Sequence, residues 1–176
     1  YILGYDLNKE TLKIALDDGT IDEICNDFES GVKNAEVVFL AAPITETIEL
    51  LKQLDNIELE HEIIVSDVSS VKGSILEVAN NLKNKNITFI GGHPMAGSHK
   101  NGIRASREHL FENAIYVLTP TTQCQADKVK ILKDVLRETK SNFIILQPYE
   151  HDEITSVISH FPQLIASSLV HQAKKW

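Results

Sequence analysis

The stretch that decides the fold is Ile87-Thr88-Phe89-Ile90-Gly91-Gly92-His93-Pro94-Met95-Ala96-Gly97-Ser98, in which an apolar run leads directly into a histidine. The apolar run predicts a strand. Glycine lets other groups approach closely and proline fixes the backbone, so His93 is predicted to lie on a stiff turn. Such a position suits a catalytic imidazole that meets a substrate. The alternative is a loop histidine that only caps a turn, and the rest of the chain has to decide between the two.

Apolar runs alternate with amphipathic segments on both sides of this stretch. Strands are predicted at residues 1–5, 35–42, 62–66, 87–90, 114–118 and 142–146. Helices are predicted at about 7–16, 44–54, 71–82, 105–110 and 125–139. This alternation is typical of βαβ units with a sheet covered on both faces. We therefore predict an α/β, Rossmann-like, doubly wound and mainly parallel sheet over residues 1–147, truncated at its first strand.

The tail from Pro148 to Trp176 has no strand signal. Its apolar residues recur at helical spacing and form a broad stripe, and Pro162 is expected to kink the helix locally. No cap signal ends the segment and no partner helix covers the stripe. We expect residues 148–176 to be the first helix of an all-helical domain that continues further.

Composition excludes several classes of protein. The 176 residues carry a formal net charge of −8 without a basic block, so nucleic acid is not an expected partner. Cys25 and Cys124 lie far apart in no metal-ligand pattern, which favours reduced thiols, an intracellular location in the cytoplasm and no metal site. No run of about 18 apolar residues is present, so no membrane span is expected.

Asp6 follows the first predicted strand and precedes a helix. An acidic residue at that point grips the adenosine ribose in dinucleotide-binding folds, and it would repel a 2′-phosphate. The alternative is that Asp6 only caps the helix. The glycine-rich turn that should lie roughly 20 residues upstream is absent from the sequence.

Six segments taken together resemble the prephenate dehydrogenase family, the NAD-dependent enzymes of tyrosine biosynthesis. They are residues 4–6, 39–43, 66–72, 91–98, 118–121 and 157–162. The resemblance implies oxidative decarboxylation of prephenate to 4-hydroxyphenylpyruvate, with NAD as cofactor. It also implies a nucleotide-binding domain followed by a helical dimerisation domain, and a homodimer when intact. Because both ends of that architecture are missing here, we expect the 176-residue piece itself to be inactive.

The resemblance assigns roles to the residues of two motifs. His93 would take the proton of the substrate hydroxyl, which neutral imidazole can do near neutral pH. Ser70 would hydrogen-bond both that hydroxyl and the histidine, although Ser69 or Ser70 could instead be the N-cap of a helix starting near Val71. The cofactor-binding residues implied by the resemblance are Asp6, Ala42, Pro43 and Ser69.

The implied substrate-binding residues lie around the entrance and in the tail: His99, His151, His160 and Gln163. Some relatives carry an acidic residue at the position of His99 and many carry a second histidine at the position of Gln163, so both are departures from the family pattern. Tyrosine is a possible feedback inhibitor. Two alternatives remain open: arogenate as the substrate, and a non-catalytic domain that senses tyrosine or mediates association.

Overall fold

The computed structural model describes residues 1–97 and 102–174. The described residues contain seven strands: β1 (Leu3–Gly4), β2 (Glu23–Ile24), β3 (Val37–Leu40), β4 (Ile63–Asp67), β5 (Ile87–Pro94), β6 (Ile115–Pro120) and β7 (Asn142–Ile145). They contain seven α-helices: α1 (Lys9–Asp17), α2 (Phe28–Lys33), α3 (Ile44–Leu54), α4 (Gly73–Ala79), α5 (Ala126–Val135), α6 (Pro148–Thr155) and α7 (Phe161–Ala173). None of the described helices is both long and apolar enough to cross a membrane.

The main sheet has five strands in the order β3-β4-β5-β6-β7. Its neighbouring strands are parallel except β5 and β6, which are antiparallel. Strands β1 and β2 form a separate parallel pair. The α/β class and the mainly parallel sheet predicted from the alternation of apolar runs and helices are therefore confirmed.

The sheet is covered on both faces: the first three residues of β4, Ile63 to Val65, are apolar on both faces of the strand, and all five of its residues are buried. One core cluster packs the odd-numbered β4 residues Ile63 and Val65 with α3 and α4. The other packs Ile64 with β6 and α5. This double coverage leaves the strand ends as the places where polar side chains can gather.

His93 differs from the sequence prediction in its local structure. The predicted strand at residues 87–90 continues to Pro94, so His93 lies inside β5 and not in a turn after it. The extension pairs His93 with Val117 and Gly92 with Leu118 of the antiparallel strand β6. The prediction of a turn was wrong because it used local glycine and proline signals, whereas a strand distant in sequence determines this backbone.

The tail forms an almost continuous helical stretch with a change of winding in its middle. Helix α6 is followed by a π-helical turn over Ser156–His160, and α7 begins at Phe161. Pro162 therefore lies in the first turn of α7, where the missing N–H costs little. The kink expected at Pro162 corresponds to this π-helical turn, which lies directly before α7.

Two short elements, β2 and α2, have no counterpart among the predictions, and a 3-10 turn at Ile103–Ala105 is found near the helix predicted at 105–110.

Candidate active site

His93 lies near the carboxyl end of β5 and is half-buried. Its Nδ1 is 2.8 Å from Nε2 of His151, which belongs to α6. The two rings meet edge to face, with their centroids 5.1 Å apart and their planes at 75°. The hydrogen bond joins residues 58 positions apart in sequence. It brings the tail of the chain to the strand that carries the imidazole.

His151 lies behind His93 and is almost completely buried, at 1% exposure. Its Nδ1 is 2.8 Å from Oδ1 of Asp152, and the Thr155 hydroxyl is 3.3 Å from its Nε2. Both ring nitrogens therefore have partners inside the protein. This geometry differs from the expectation that His151 contacts a substrate directly, because other side chains bury the His151 ring and bond both of its nitrogens.

Asp152 is bonded to the amino end of α4 as well as to His151. Its Oδ1 accepts a hydrogen bond from the Lys72 N–H at 2.7 Å and its Oδ2 accepts one from the Gly73 N–H at 2.8 Å. Helix α4 has no capping side chain from its own segment, so the Asp152 carboxylate, which belongs to α6, caps it. Burial raises the pKa of Asp152, but hydrogen bonds from Gly73, Lys72 and His151 outweigh it, and the net effect is a lowered pKa.

A buried ion pair braces the strand end beside His93. Lys72 Nζ donates to Asp67 Oδ2 at 2.5 Å and to the Gly92 carbonyl at 2.6 Å, and neither charged side chain is exposed. Asp67 also accepts hydrogen bonds from the Gly92 and Ser69 N–H groups. Burial lowers the pKa of Lys72, and the attraction of Asp67 partly offsets the fall. Both backbone polar groups of Gly92 are thus fixed directly before His93.

The environment keeps the His93 imidazole neutral. Its pKa falls from 6.5 to about 4, mainly because of burial and to a smaller extent because of His151, Lys72 and His160, while Asp152 acts in the opposite direction. A neutral imidazole has one lone pair that can accept a proton. The ring nitrogen that carries this lone pair can therefore act as a general base at neutral pH.

The two serines of the 66–72 segment have different environments. Ser69 is buried, its N–H donates to Asp67, and its hydroxyl has no hydrogen-bond partner among the described residues. Ser70 is exposed, and no hydrogen bond joins it to His93 within residues 1–97 and 102–174. Neither serine is the N-cap of α4, because that helix begins at Gly73 and is capped by Asp152. The capping alternative for these serines is therefore wrong.

Asp6 lies just after β1 and is exposed. The N-cap of α1 is Asn8, whose side chain accepts hydrogen bonds from the Glu10 and Thr11 N–H groups. Asp6 instead accepts a hydrogen bond from the Asn8 N–H with one oxygen, at 2.7 Å. The alternative that Asp6 caps the helix is thus wrong, and its carboxylate remains suited to a ribose.

Ala42 and Pro43 connect the carboxyl end of β3 to α3. The Thr47 hydroxyl donates to the Ala42 carbonyl at 3.0 Å, which ties the turn to the first part of the helix. Pro43 is the N-cap residue of α3 and supplies no capping side chain. Parallel strands β3 and β4 end at the same edge of the sheet, so this small-residue turn and Ser69 border that edge.

The remaining predicted substrate-binding residues lie in the tail or outside the described residues. His160 is half-buried at the end of the π-helical turn, and Gln163 is exposed on α7. His99 lies outside the described residues. Among those that the structure describes, no group of three or more His, Cys, Asp or Glu side chains is placed to hold a metal ion.

Of the groups that support His93, sequence reasoning missed Asp67, Asp152 and Thr155, and it left Lys72 open between a functional role and a solvated surface lysine. One signal was present, because a lysine at the amino end of a helix opposes the helix dipole and so invites an explanation. Asp152 gave no such signal, since it lies among acidic residues that look like an ordinary exposed helix face.

The chain matches two parts of one family. Residues 1–145 match the family described as "Prephenate dehydrogenase, nucleotide-binding domain", and residues 147–176 match "Prephenate dehydrogenase, dimerization domain". This chain belongs to the prephenate dehydrogenase family. It is 44% identical over 171 residues to the prephenate dehydrogenase of Bacillus subtilis (strain 168), which covers 97% of the chain and 46% of that protein. The chain spans about half the length of the curated family members it matches.

Two solved structures share the fold of this chain. The crystal structure of Synechocystis arogenate dehydrogenase has a TM-score of 0.85 and 34% identity, covering 98% of this chain and 60% of that one. The prephenate dehydrogenase of Aquifex aeolicus, crystallised with hydroxyphenyl propionate and NAD+, has a TM-score of 0.85 and 33% identity, covering 97% and 59%. These likenesses confirm the family resemblance and the Rossmann-like fold predicted from the sequence.

Proposed function

We propose that the whole protein catalyses the NAD-dependent oxidative decarboxylation of prephenate to 4-hydroxyphenylpyruvate, a step of tyrosine biosynthesis. The proposal rests on family membership together with one observation in this chain. A half-buried, neutral histidine lies at the end of a central strand with one ring nitrogen already engaged by the protein. Such a group can take the hydroxyl proton as the hydroxyl-bearing carbon is oxidised.

His93 is the proposed proton acceptor. Because its Nδ1 is engaged with His151, the nitrogen proposed to accept the proton is Nε2. A lowered pKa, about 4, keeps the ring unprotonated before the substrate hydroxyl arrives. The ion pair of Asp67 and Lys72 holds the Gly92 peptide groups, so the strand that carries the ring is fixed from behind.

Ser70, His160 and Gln163 are the proposed contacts to the substrate. Ser70 is exposed at the carboxyl end of β4 and would bond the substrate hydroxyl. His160 and Gln163 would contact the carboxylate groups of the substrate. His99 is proposed at the entrance. His151 is proposed to support His93 from within the protein, since it has almost no surface of its own.

Described residues that follow β1, β3 and β4 fit a dinucleotide. Asp6 presents an exposed carboxylate for the ribose hydroxyls. The buried Ser69 hydroxyl lacks a partner among the described residues, and the turn at Ala42 and Pro43 is free of bulky side chains. When bound, NAD supplies the acceptor for the hydride that leaves the substrate. The chain's own part is to hold the cofactor and to remove the proton.

We further propose that the whole protein is a homodimer, that it lies in the cytoplasm and that tyrosine inhibits it. The match to a dimerization domain supports the dimer. Cys25 and Cys124 are both free thiols, as expected of a protein in a reducing compartment. Tyrosine inhibition is tested by adding L-tyrosine to the assay described below.

Arogenate is a second candidate substrate, because one structural neighbour of the same TM-score is an arogenate dehydrogenase. Arogenate carries an amine where prephenate carries a ketone, so the two candidates differ only in groups that bind the side chain. Measuring kcat/KM of the whole protein with each substrate decides between them. A preference for arogenate of tenfold or more would overturn the choice of prephenate.

The proton-acceptor role is tested with His93→Ala in the whole protein. We expect the turnover with prephenate and NAD to fall by about two to four orders of magnitude, the usual contribution of a general base, while the affinity for NAD stays within about twofold. His61→Ala is the matched control. His61 is exposed and lies just before the first residue of β4, whereas His93 lies near the carboxyl end of β5. Turnover of His93→Ala close to that of His61→Ala would remove His93 from the reaction.

A further inference from the structure

We propose that Asp152 is a positioning residue for the reaction: its carboxylate fixes the hydrogen positions on His151 and His93 so that His93 Nε2 is left as the proton-accepting atom. The inference rests on the proposed function of His93 and extends it to a residue on a different element. It is carried by a continuous line of contacts from Asp152 through His151 to His93.

The hydrogen positions follow from the chemistry of the two ends of this line. An ionised carboxylate only accepts hydrogen bonds, so the His151 nitrogen 2.8 Å from Asp152 Oδ1 must carry a hydrogen. That nitrogen is Nδ1. In neutral His151 the other nitrogen, Nε2, is then a lone pair, and it must accept from His93 Nδ1 across 2.8 Å. The Thr155 hydroxyl lies at 3.3 Å from the same Nε2, farther away than His93 Nδ1.

His93 is therefore held with its hydrogen on Nδ1. Its Nε2 carries the lone pair, and a substrate hydroxyl can give its proton to that atom. When the proton arrives, the His93 ring becomes a cation with the Asp152 carboxylate at the far end of the line. No proton has to pass from His93 to Asp152 for this arrangement to work.

The Asp152 carboxylate is held in place independently of the histidines. Its two oxygens accept the Lys72 and Gly73 N–H groups at the amino end of α4, a position where a negative charge is favoured. These bonds keep the carboxylate ionised, as its lowered pKa indicates. The ionisable groups around the line are Lys72, Tyr149 and His160, and none of them accepts a hydrogen from His151.

An amide at position 152 would reverse the direction of the hydrogen bonds between residue 152, His151 and His93. In Asp152→Asn the side-chain oxygen can still accept the Gly73 N–H, while an NH2 group in the place of Oδ1 gives up the bond from the Lys72 N–H and can donate to His151 Nδ1. His151 would then carry its hydrogen on Nε2 and donate it to His93 Nδ1, and His93 would carry its own hydrogen on Nε2. The ring would still be present, but the atom facing the substrate could no longer accept a proton.

The experiment uses the whole protein with 15N-labelled histidine. Two-bond 1H–15N spectra report which ring nitrogen carries the hydrogen, and a His93→Gln variant assigns the His93 signals. We expect the Nδ1–H form for both rings in the wild type, and a shift of His93 to the Nε2–H form in Asp152→Asn. We also expect kcat/KM of Asp152→Asn to fall at least about a hundredfold, with a changed pH profile and a KM within about threefold of the wild type.

Asp55→Asn is the matched control. The Asp55 carboxylate also accepts two backbone N–H groups from a distant segment, those of Lys83 and Asn84, but it contacts no histidine. Equal loss of activity in Asp152→Asn and Asp55→Asn would overturn the proposal, and so would an Nε2–H form of His93 in the wild type. The wild-type spectrum needs no substrate and no change at Asp152, only the His93→Gln variant for assignment. It therefore tests the positioning role even if Asp152→Asn fails to fold or prephenate is not turned over.

Discussion

Replacing Lys72 with methionine is expected to destabilise the protein by about 3 to 5 kcal/mol, because the change leaves a buried carboxylate without its counter-ion. Lys72 Nζ lies 2.5 Å from Asp67 Oδ2 and 2.6 Å from the Gly92 carbonyl, and both charged side chains are fully buried. Methionine fills a similar volume but donates no hydrogen bond. Asp67 would keep the N–H donors of Ser69 and Gly92, which soften the loss without replacing the charge.

Two further variants separate the ion pair from the loss of packing. In Asp67→Asn combined with Lys72→Met, no unpaired charge is left at this site and the amide oxygen can still accept a backbone N–H, so the double variant is expected to lose only about 1 to 2 kcal/mol. Lys52→Met is the surface control. Its ion pair with Glu49 spans 2.7 Å between half-exposed side chains, and its loss is expected to cost less than about 1 kcal/mol.

Urea unfolding at pH 7, followed by far-UV circular dichroism, measures these free energies of unfolding. The expected order of destabilisation is Lys72→Met largest, the double variant intermediate and Lys52→Met smallest. The reasoning is refuted if Lys72→Met loses no more than Lys52→Met. It is also refuted if the double variant is as unstable as Lys72→Met alone, because the damage would then come from packing and not from the unpaired charge.

Three other perturbations test different parts of the molecule. The pKa of His93 is about 4 when folded and about 6.5 when unfolded, so the unfolded chain binds more protons between these values and stability falls as the pH drops from 6.5 to 4. His93→Gln should remove roughly 2 kcal/mol of that dependence in urea unfolding between pH 4 and 7, less than the full pKa difference because the ring is only half-buried. Asp6→Ala in the whole protein should weaken NAD binding about tenfold and bring NADP affinity closer to it in fluorescence titrations; unchanged affinities would remove Asp6 from the cofactor site. Gly92→Ala would put a Cβ 2.5 Å from the Asp67 carbonyl oxygen and should cost about 1 to 3 kcal/mol in thermal unfolding, whereas a Cβ at Gly97 meets no described atom within 4 Å and Gly97→Ala should be neutral.

The sheet and its helices could be predicted because their signals are local. Helix α3 is found at Ile44–Leu54, the bounds predicted from its apolar spacing, and the runs that became β3 and β4 are apolar enough to be recognised alone. The short elements β2 and α2 escaped prediction because two strand residues and six helix residues carry too little periodicity. The turn at His93 was predicted wrongly, because strand pairing with β6 is invisible from residues 91–94 alone.

The candidate site was only half visible in the sequence. His93 and the two serines lie in recognisable motifs, but the groups that determine the chemistry of His93 come from elsewhere. Asp152 reaches Lys72 across 80 positions of sequence, and a hydrogen bond of that range leaves no pattern in the sequence. His151 was predicted at the site, yet its burial behind His93 depends on how α6 packs against the sheet, which composition and spacing do not specify.

The Asp152 carboxylate links the two matched regions of the chain at the candidate active site, beside the hydrogen bond between His93 and His151. Asp152 lies in the region matched to the dimerization domain, whereas α4 and β5 lie in the region matched to the nucleotide-binding domain. Burial keeps the His93 ring neutral at rest, and Asp152 opposes that effect by stabilising the cation that forms when the ring takes a proton. Because Asp152 caps α4 with both oxygens and holds His151 with one of them, a tail that moved away from α4 would remove the cap, the partner of His93 Nδ1 and the counter-charge together.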